Sequence, residues 1–91
     1  DKVSMGTIAA RDAIRVLELT EQVAAATLLA ANQGVWLRAQ AEDARPLPPA
    51  LAAMHAELAR DFAPVIEDRA LEGELRLCLQ RIAAQHWRLH A

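Results

Sequence analysis

The chain has 91 residues, enough for one small domain whose core is marginal when it stands by itself. Apolar residues make up 54% of it and charged ones 24%, which is too apolar for a disordered tail and too charged for a membrane protein. Its formal net charge of -2 comes from interspersed signs, which argues against nucleic acid as a partner because that surface needs a clustered basic face.

The opening Asp1-Lys2-Val3-Ser4-Met5-Gly6 has neither an initiator methionine at position 1 nor the apolar core of a signal peptide, so the chain is expected to be a segment of a longer one. Ser4 lacks the Gly-x-Ser-x-Gly elbow that presents a nucleophile. Its place just ahead of a helical run suits a capping hydroxyl. From about Met5 to Gln40 there is no proline, and Ile14, Leu17, Glu21, Ala24, Leu28, Ala31 and Val35 recur at helical spacing, which predicts one long helix over about 5–40. The flanking rows Ala9, Ala13, Val16, Val23, Ala30 and Leu37 are apolar too. A helix apolar around so much of its circumference belongs inside a larger bundle, so partners beyond these residues are expected. The charge-poor stretch Val23 to Leu37 falls short of the roughly 18 to 20 apolar residues of a membrane span, and no membrane is expected. Alanine supplies 21 of the 91 residues, favouring both helicity and close helix packing. Gly34 costs about 1 kcal/mol relative to alanine in a helix; either a close backbone neighbour offsets that or a fraying end tolerates it.

Ala41 to Pro49 holds three prolines and breaks the periodicity, so it reads as a proline-rich turn over 41–49. Pro49 suits the first turn of a second helix over about 50–61, with Leu51, Met54, His55, Leu58 and Phe62 on one face. Pro64 stops it. After a connection through Asp68 and Gly73, a third helix over about 73–89 presents Leu75, Cys78, Leu79, Ile82, Ala83 and His86. The expected class is all-α, one long helix followed by two shorter ones. Cys78 is the only cysteine, which rules out an internal disulfide; between Leu77 and Leu79 it reads as a small buried hydrophobe, compatible with a reducing cytoplasm.

Chemistry-bearing motifs are sparse. His86 and His90 stand four apart but lack a third ligand, so no metal site is expected. His55 has no nucleophile nearby and reads as a solvated or core-edge side chain. Trp36 and Trp87 could stack on a ligand, yet such residues near helix ends more often fill a core or an interface. From the residues alone the chain is a helical module with no catalytic group.

The stretch Asp1-Lys-Val-Ser-Met-Gly-Thr-Ile-Ala-Ala-Arg11 resembles the segment Q-E-D-H-V-S-M-G of histidine ammonia-lyase and its relatives that act on phenylalanine and tyrosine. Leu28-Leu-Ala-Ala-Asn-Gln-Gly34 with Leu37-Arg38 is similar to that family's L-L-A-A-x-Q-x...R stretch, and Asp68-Arg69 with Glu74-Leu75 extends the likeness over nearly the whole chain. The resemblance implies the C-terminal helical region of an aromatic amino acid ammonia-lyase, an enzyme that eliminates ammonia through a methylidene-imidazolone made from an internal Ala-Ser-Gly. This chain has no Ala-Ser-Gly, so that group is expected in an upstream part of the parent, together with the family's tyrosines and substrate-carboxylate arginine. Asp1, Lys2, Val3, Ser4, Met5, Gly6 and Thr7 are then expected beside the active site, as a helix end whose roughly half positive charge is worth about 0.3 to 2 kcal/mol toward an anion. Lys2 stands where histidine ammonia-lyases usually carry His, which leaves phenylalanine, tyrosine and an aminomutase reaction open. The resemblance further implies a cytoplasmic homotetramer and a small aromatic amino acid as substrate. The alternatives are a non-catalytic helical interaction or oligomerisation module, and a relative that has lost the prosthetic group.

Overall fold

The absence of proline between Lys2 and Ala39 lets one helix, α1 (Lys2–Ala39), run for 38 residues. At ~1.5 Å per residue this is about 57 Å, most of the 63 Å long axis of the molecule. The computed structural model describes residues 2–87, and for residues 2–4 the backbone alone. Two shorter helices follow, α2 (Pro49–Asp61) and α3 (Glu72–Ala83), with no strand among the described residues, so the expected all-α class holds. None of the described helices is long and apolar enough to cross a membrane.

Both short helices pack on α1, and they cover only its second half. Every residue from Met5 to Ala24 is exposed, including Leu17 at 63% and Val23 at 66%. Packing begins at Ala25, which is fully buried, and continues through half-buried Leu28 and Leu29 to buried Asn32. The expected seam is therefore corrected: Ile14, Leu17 and Ala24 lie on it yet are exposed, because α2 and α3 do not reach the first half of α1. The small methyl side chain at Ala25 admits Cys78, whose Sγ lies 3.7 Å from the Ala25 carbonyl oxygen.

Pro48, at φ -53 and ψ 146, delivers an extended chain into α2, and Pro49 occupies the first turn, where a missing N–H costs nothing. On the expected α2 face Leu58 and Phe62 are buried and Met54 and His55 half-buried, but Leu51 is 58% exposed because the helix starts beyond the edge of the core. Phe62 leaves the helix in extended conformation, two residues ahead of Pro64.

α3 departs from its expected end. It stops at Ala83, not near 89, because Gln85 turns left-handed at φ 53. The Gln85 N–H donates to the Ile82 carbonyl and the His86 N–H to the Arg81 carbonyl, both at 3.0 Å, which is the Schellman arrangement. Placing a non-glycine residue there costs roughly 1–2 kcal/mol. The reversal folds Trp87 into the core at 4% exposure, its ring 6.1 Å from that of Phe62. Burying roughly 150–250 Å² of tryptophan at about 25 cal/mol per Å² returns about 4–6 kcal/mol, so the turn wins. Leu89, the last residue of the expected helix, lies outside the described residues.

Ser4 sits inside the first turn of α1, because the helix already runs at Lys2, so it is not the residue ahead of the helix that capping would need. Its side chain, like those of Lys2 and Val3, lies outside the described residues.

Candidate functional site

The residues nominated by their sequence lie at the far end of α1. Asp1 is outside the described residues, the side chains of Lys2, Val3 and Ser4 are likewise, and Met5, Gly6 and Thr7 are exposed. Gly6 has open space where a Cβ would stand. Thr7 precedes Ala25, the first buried residue, by 18 positions, or ~27 Å along the axis. The described side chains at this helix end are exposed, and the helix dipole is what the end offers an anion.

A second polar cluster forms where the middle of α1 meets α2 and the 62–71 connection. Asn32, 7% exposed, donates from Nδ2 to the Phe62 carbonyl at 3.5 Å and turns Oδ1 to His55 Nδ1 at 2.8 Å. That orientation requires the imidazole to carry its proton on Nδ1. Next to it, Gln33 makes a paired amide contact with Val65, donating to its carbonyl at 2.9 Å and accepting from its N–H at 2.8 Å. Arg69 completes the clip: its guanidinium donates to the carbonyls of Ala63 and Pro64 and to Glu74, with Nη2 to Oε1 at 2.9 Å. An open groove of about 390 Å³ lies over this cluster, walled by Leu29, Phe62, Val65 and Leu71. Its polar residues Asn32, Gln33 and Glu74 are all committed to the contacts just given, which leaves the groove an apolar trough with no disengaged acid or base.

The remaining candidates fall to structural roles. Of its two expected roles His55 takes the core-edge one, half-buried with Asn32 as its partner. His86 stands beyond the end of α3, its ring meeting Trp87 edge-on at 5.7 Å, and His90 lies outside the described residues. Among the described residues no three His, Cys, Asp or Glu side chains gather as a metal cluster would. Trp87 is core and contacts Phe62 and His86, whereas Trp36 is half-buried on α1. Cys78 is fully buried, and loss of hydration pushes its thiol pKa upward, the reverse of an activated nucleophile. Gly34 has open space where a Cβ would go, so no neighbouring backbone calls for glycine there.

Sequence reasoning missed the clip of Gln33 and Arg69 on the connection. Its only sign was a polar Asn32-Gln33 pair interrupting an apolar row.

Comparison with protein families gives a match to the family described as aromatic amino acid lyase over residues 1–60. The match takes in α1, the proline-rich turn and nearly all of α2, and it ends before Asp68-Arg69 and Glu74-Leu75. Comparisons with curated proteins and with solved structures each returned no match.

Proposed function

The chain belongs to the aromatic amino acid lyase family, and on that premise we propose that it is the C-terminal helical portion of an ammonia-lyase, serving assembly and the placing of one active-site wall. The observation that carries this reading is the pairing of the family match over all of α1 with twenty consecutive exposed residues, Met5 to Ala24, in that same helix. A helix so apolar and so bare is built to be covered. The reaction of the parent is the non-oxidative loss of ammonia from a small aromatic amino acid, in a cytoplasmic homotetramer.

The contribution of this segment is electrostatic. With the first turn of α1 near the substrate, the helix dipole favours a carboxylate by about 0.3 to 2 kcal/mol, depending on burial. The prosthetic group does not fit these residues: the only serine is Ser4, flanked by Val3 and Met5, so no Ala-Ser-Gly is present to form a methylidene-imidazolone. That chemistry is assigned to other residues of the parent.

The bare helix favours one other reading, a non-catalytic oligomerisation module. The two separate on the intact parent polypeptide from its original host, by mass and by following cinnamate, coumarate or urocanate absorbance with phenylalanine, tyrosine and histidine. A parent several times heavier than 9.9 kDa that eliminates ammonia from one of the three supports the lyase. A parent of this size that yields no product supports the module and sinks the lyase reading.

A further inference from the structure

Neither the helix packing nor the lyase reading makes use of the proline-rich segment between α1 and α2. Each residue from Arg45 to Pro48 is a proline or stands directly before one. The rings fix φ at Pro46 and Pro48, and the clash with the following ring keeps Arg45 and Leu47 out of the helical region. The outcome is seen at Pro48, whose φ of -53 and ψ of 146 lie in the polyproline II region. Residues 44–48 form no regular element, and Pro49 enters α2 with its own φ still set by its ring.

A polyproline II helix has three residues per turn, so its side chains stand on three edges. One edge carries Arg45 and Pro48, the next Pro46 and Pro49, and the third Leu47. Burial follows those edges: Leu47 is half-buried, while Arg45, Pro46, Pro48 and Pro49 are all exposed. The Leu47 edge is thus turned toward the chain, and the other two face solvent side by side. The backbone is equally open. Hydrogen bonds bracket the segment, from the Ala44 N–H to the Ala41 carbonyl and from the Ala52 N–H to the Pro48 carbonyl; among the described residues the carbonyls of Arg45, Pro46 and Leu47 accept none. At the start of the segment Arg38 and Arg45 line an open cleft of about 540 Å³ together with Asp43. Neither arginine takes part in an ion pair among the described residues.

We propose that Arg45–Pro49 is a docking segment for a second protein, one that reads polyproline II through an aromatic-lined groove flanked by carboxylates. Proline rings three positions apart on an exposed edge suit neighbouring aromatic slots, and a backbone already held extended loses little entropy on docking. The unengaged carbonyls take donors from the groove, and Arg45 supplies the cation that selects an acidic flank. Because α2 leaves directly after Pro49, the footprint is short and the complex is of the weak, transient kind. This adds to the lyase reading a partner outside the catalytic assembly and does not depend on that reading.

The test titrates the intact parent polypeptide into a panel of isotope-labelled proline-recognition domains of the Src-homology and WW types, some with acidic and some with basic groove flanks. The resonance of the groove tryptophan indole N–H is followed. An acidic-flanked groove is expected to shift saturably, and added salt should weaken the complex. Pro46→Ala and Arg45→Glu should each weaken it about fivefold or more, while Leu47→Ala, on the inward edge, should stay within about twofold of the parent. Pro46 and Arg45 are exposed, so these two variants keep the core, which circular dichroism checks. The proposal is overturned if no domain of the panel shifts at about 1 mM, if basic-flanked grooves are preferred, if Pro46→Ala binds as the parent does, or if Leu47→Ala weakens binding as much as Pro46→Ala. A parent that eliminates ammonia yet shifts no domain loses this proposal alone, and one that shifts a domain without lyase activity loses only the lyase reading.

Discussion

Replacing Gln33 by alanine severs both hydrogen bonds that hold the 62–71 connection against α1, at 2.9 and 2.8 Å to the two backbone atoms of Val65. A neutral hydrogen bond contributes about 0.5–1.5 kcal/mol net, so the pair amounts to about 1–3 kcal/mol. Gln33 is half-buried, which lets water repair part of the loss, and alanine is a slightly better helix former; both place the expected cost at about 1–2 kcal/mol. Urea unfolding followed by the fluorescence of the buried Trp87 should show a lower midpoint with an unchanged slope. Gln33→Glu sharpens the test, because it keeps an acceptor for the Val65 N–H but turns the donor into a carboxylate oxygen facing the Val65 carbonyl. The new carboxyl should then stay protonated more readily when folded than when unfolded. A folded pKa above the unfolded one gives stability that is complete below the unfolded value and is lost as pH rises through the folded value. The glutamate chain should therefore approach the parent near pH 4 and fall behind it by about 1 kcal/mol at neutral pH. An alanine chain within about 0.5 kcal/mol of the parent, or a glutamate chain whose deficit ignores pH, would refute the reasoning.

Gly34→Ala should stabilise the chain by about 0.5–1 kcal/mol, raising the thermal midpoint by a few degrees in circular dichroism, since a Cβ at Gly34 meets open space inside α1. A fall in midpoint would show that a neighbour approaches that position after all. Gln85→Gly should gain about 1 kcal/mol by relieving the left-handed turn at φ 53, and Gln85→Val should lose at least as much; equal midpoints for the two would discount the strain. Cys78 should react with a soluble thiol reagent only as fast as the chain opens, because it is fully buried with its pKa raised by desolvation. The sign follows from the same shift: a thiol whose folded pKa lies above the unfolded one contributes stability below the unfolded value that is lost as pH rises through the folded one. Labelling in native buffer at the rate of a free thiol would contradict that burial.

How legible each element was depends on where its determinants lie. α1 was readable because proline is absent for its whole length and apolar residues recur at helical spacing, and α2 because Pro49 marks its first turn. The end of α3 was not, because its left-handed residue is a glutamine, and only the burial of Trp87 makes that turn favourable. The clip on the connection was equally hidden: Gln33 and Val65 are 32 positions apart, and nothing in either neighbourhood names the other. The breadth of apolar surface on α1 did carry over, since a helix written for several neighbours is exposed at every residue from Met5 to Ala24.

That last feature explains why the candidate site could be named from the sequence yet not assembled in the fold. Asp1 to Thr7 were nominated by their resemblance to a family motif, and a motif needs only neighbouring residues. A site needs side chains from separate elements to converge, and the elements of this chain converge ~27 Å beyond Thr7, on Ala25 and Asn32. The polar groups that do converge there, Asn32, Gln33, His55 and Arg69, bond to the backbone or to one another. They hold α2 and the connection against α1 and so fix the packed half of the long helix. The bare half then projects from that anchored base, with every residue from Met5 to Ala24 exposed.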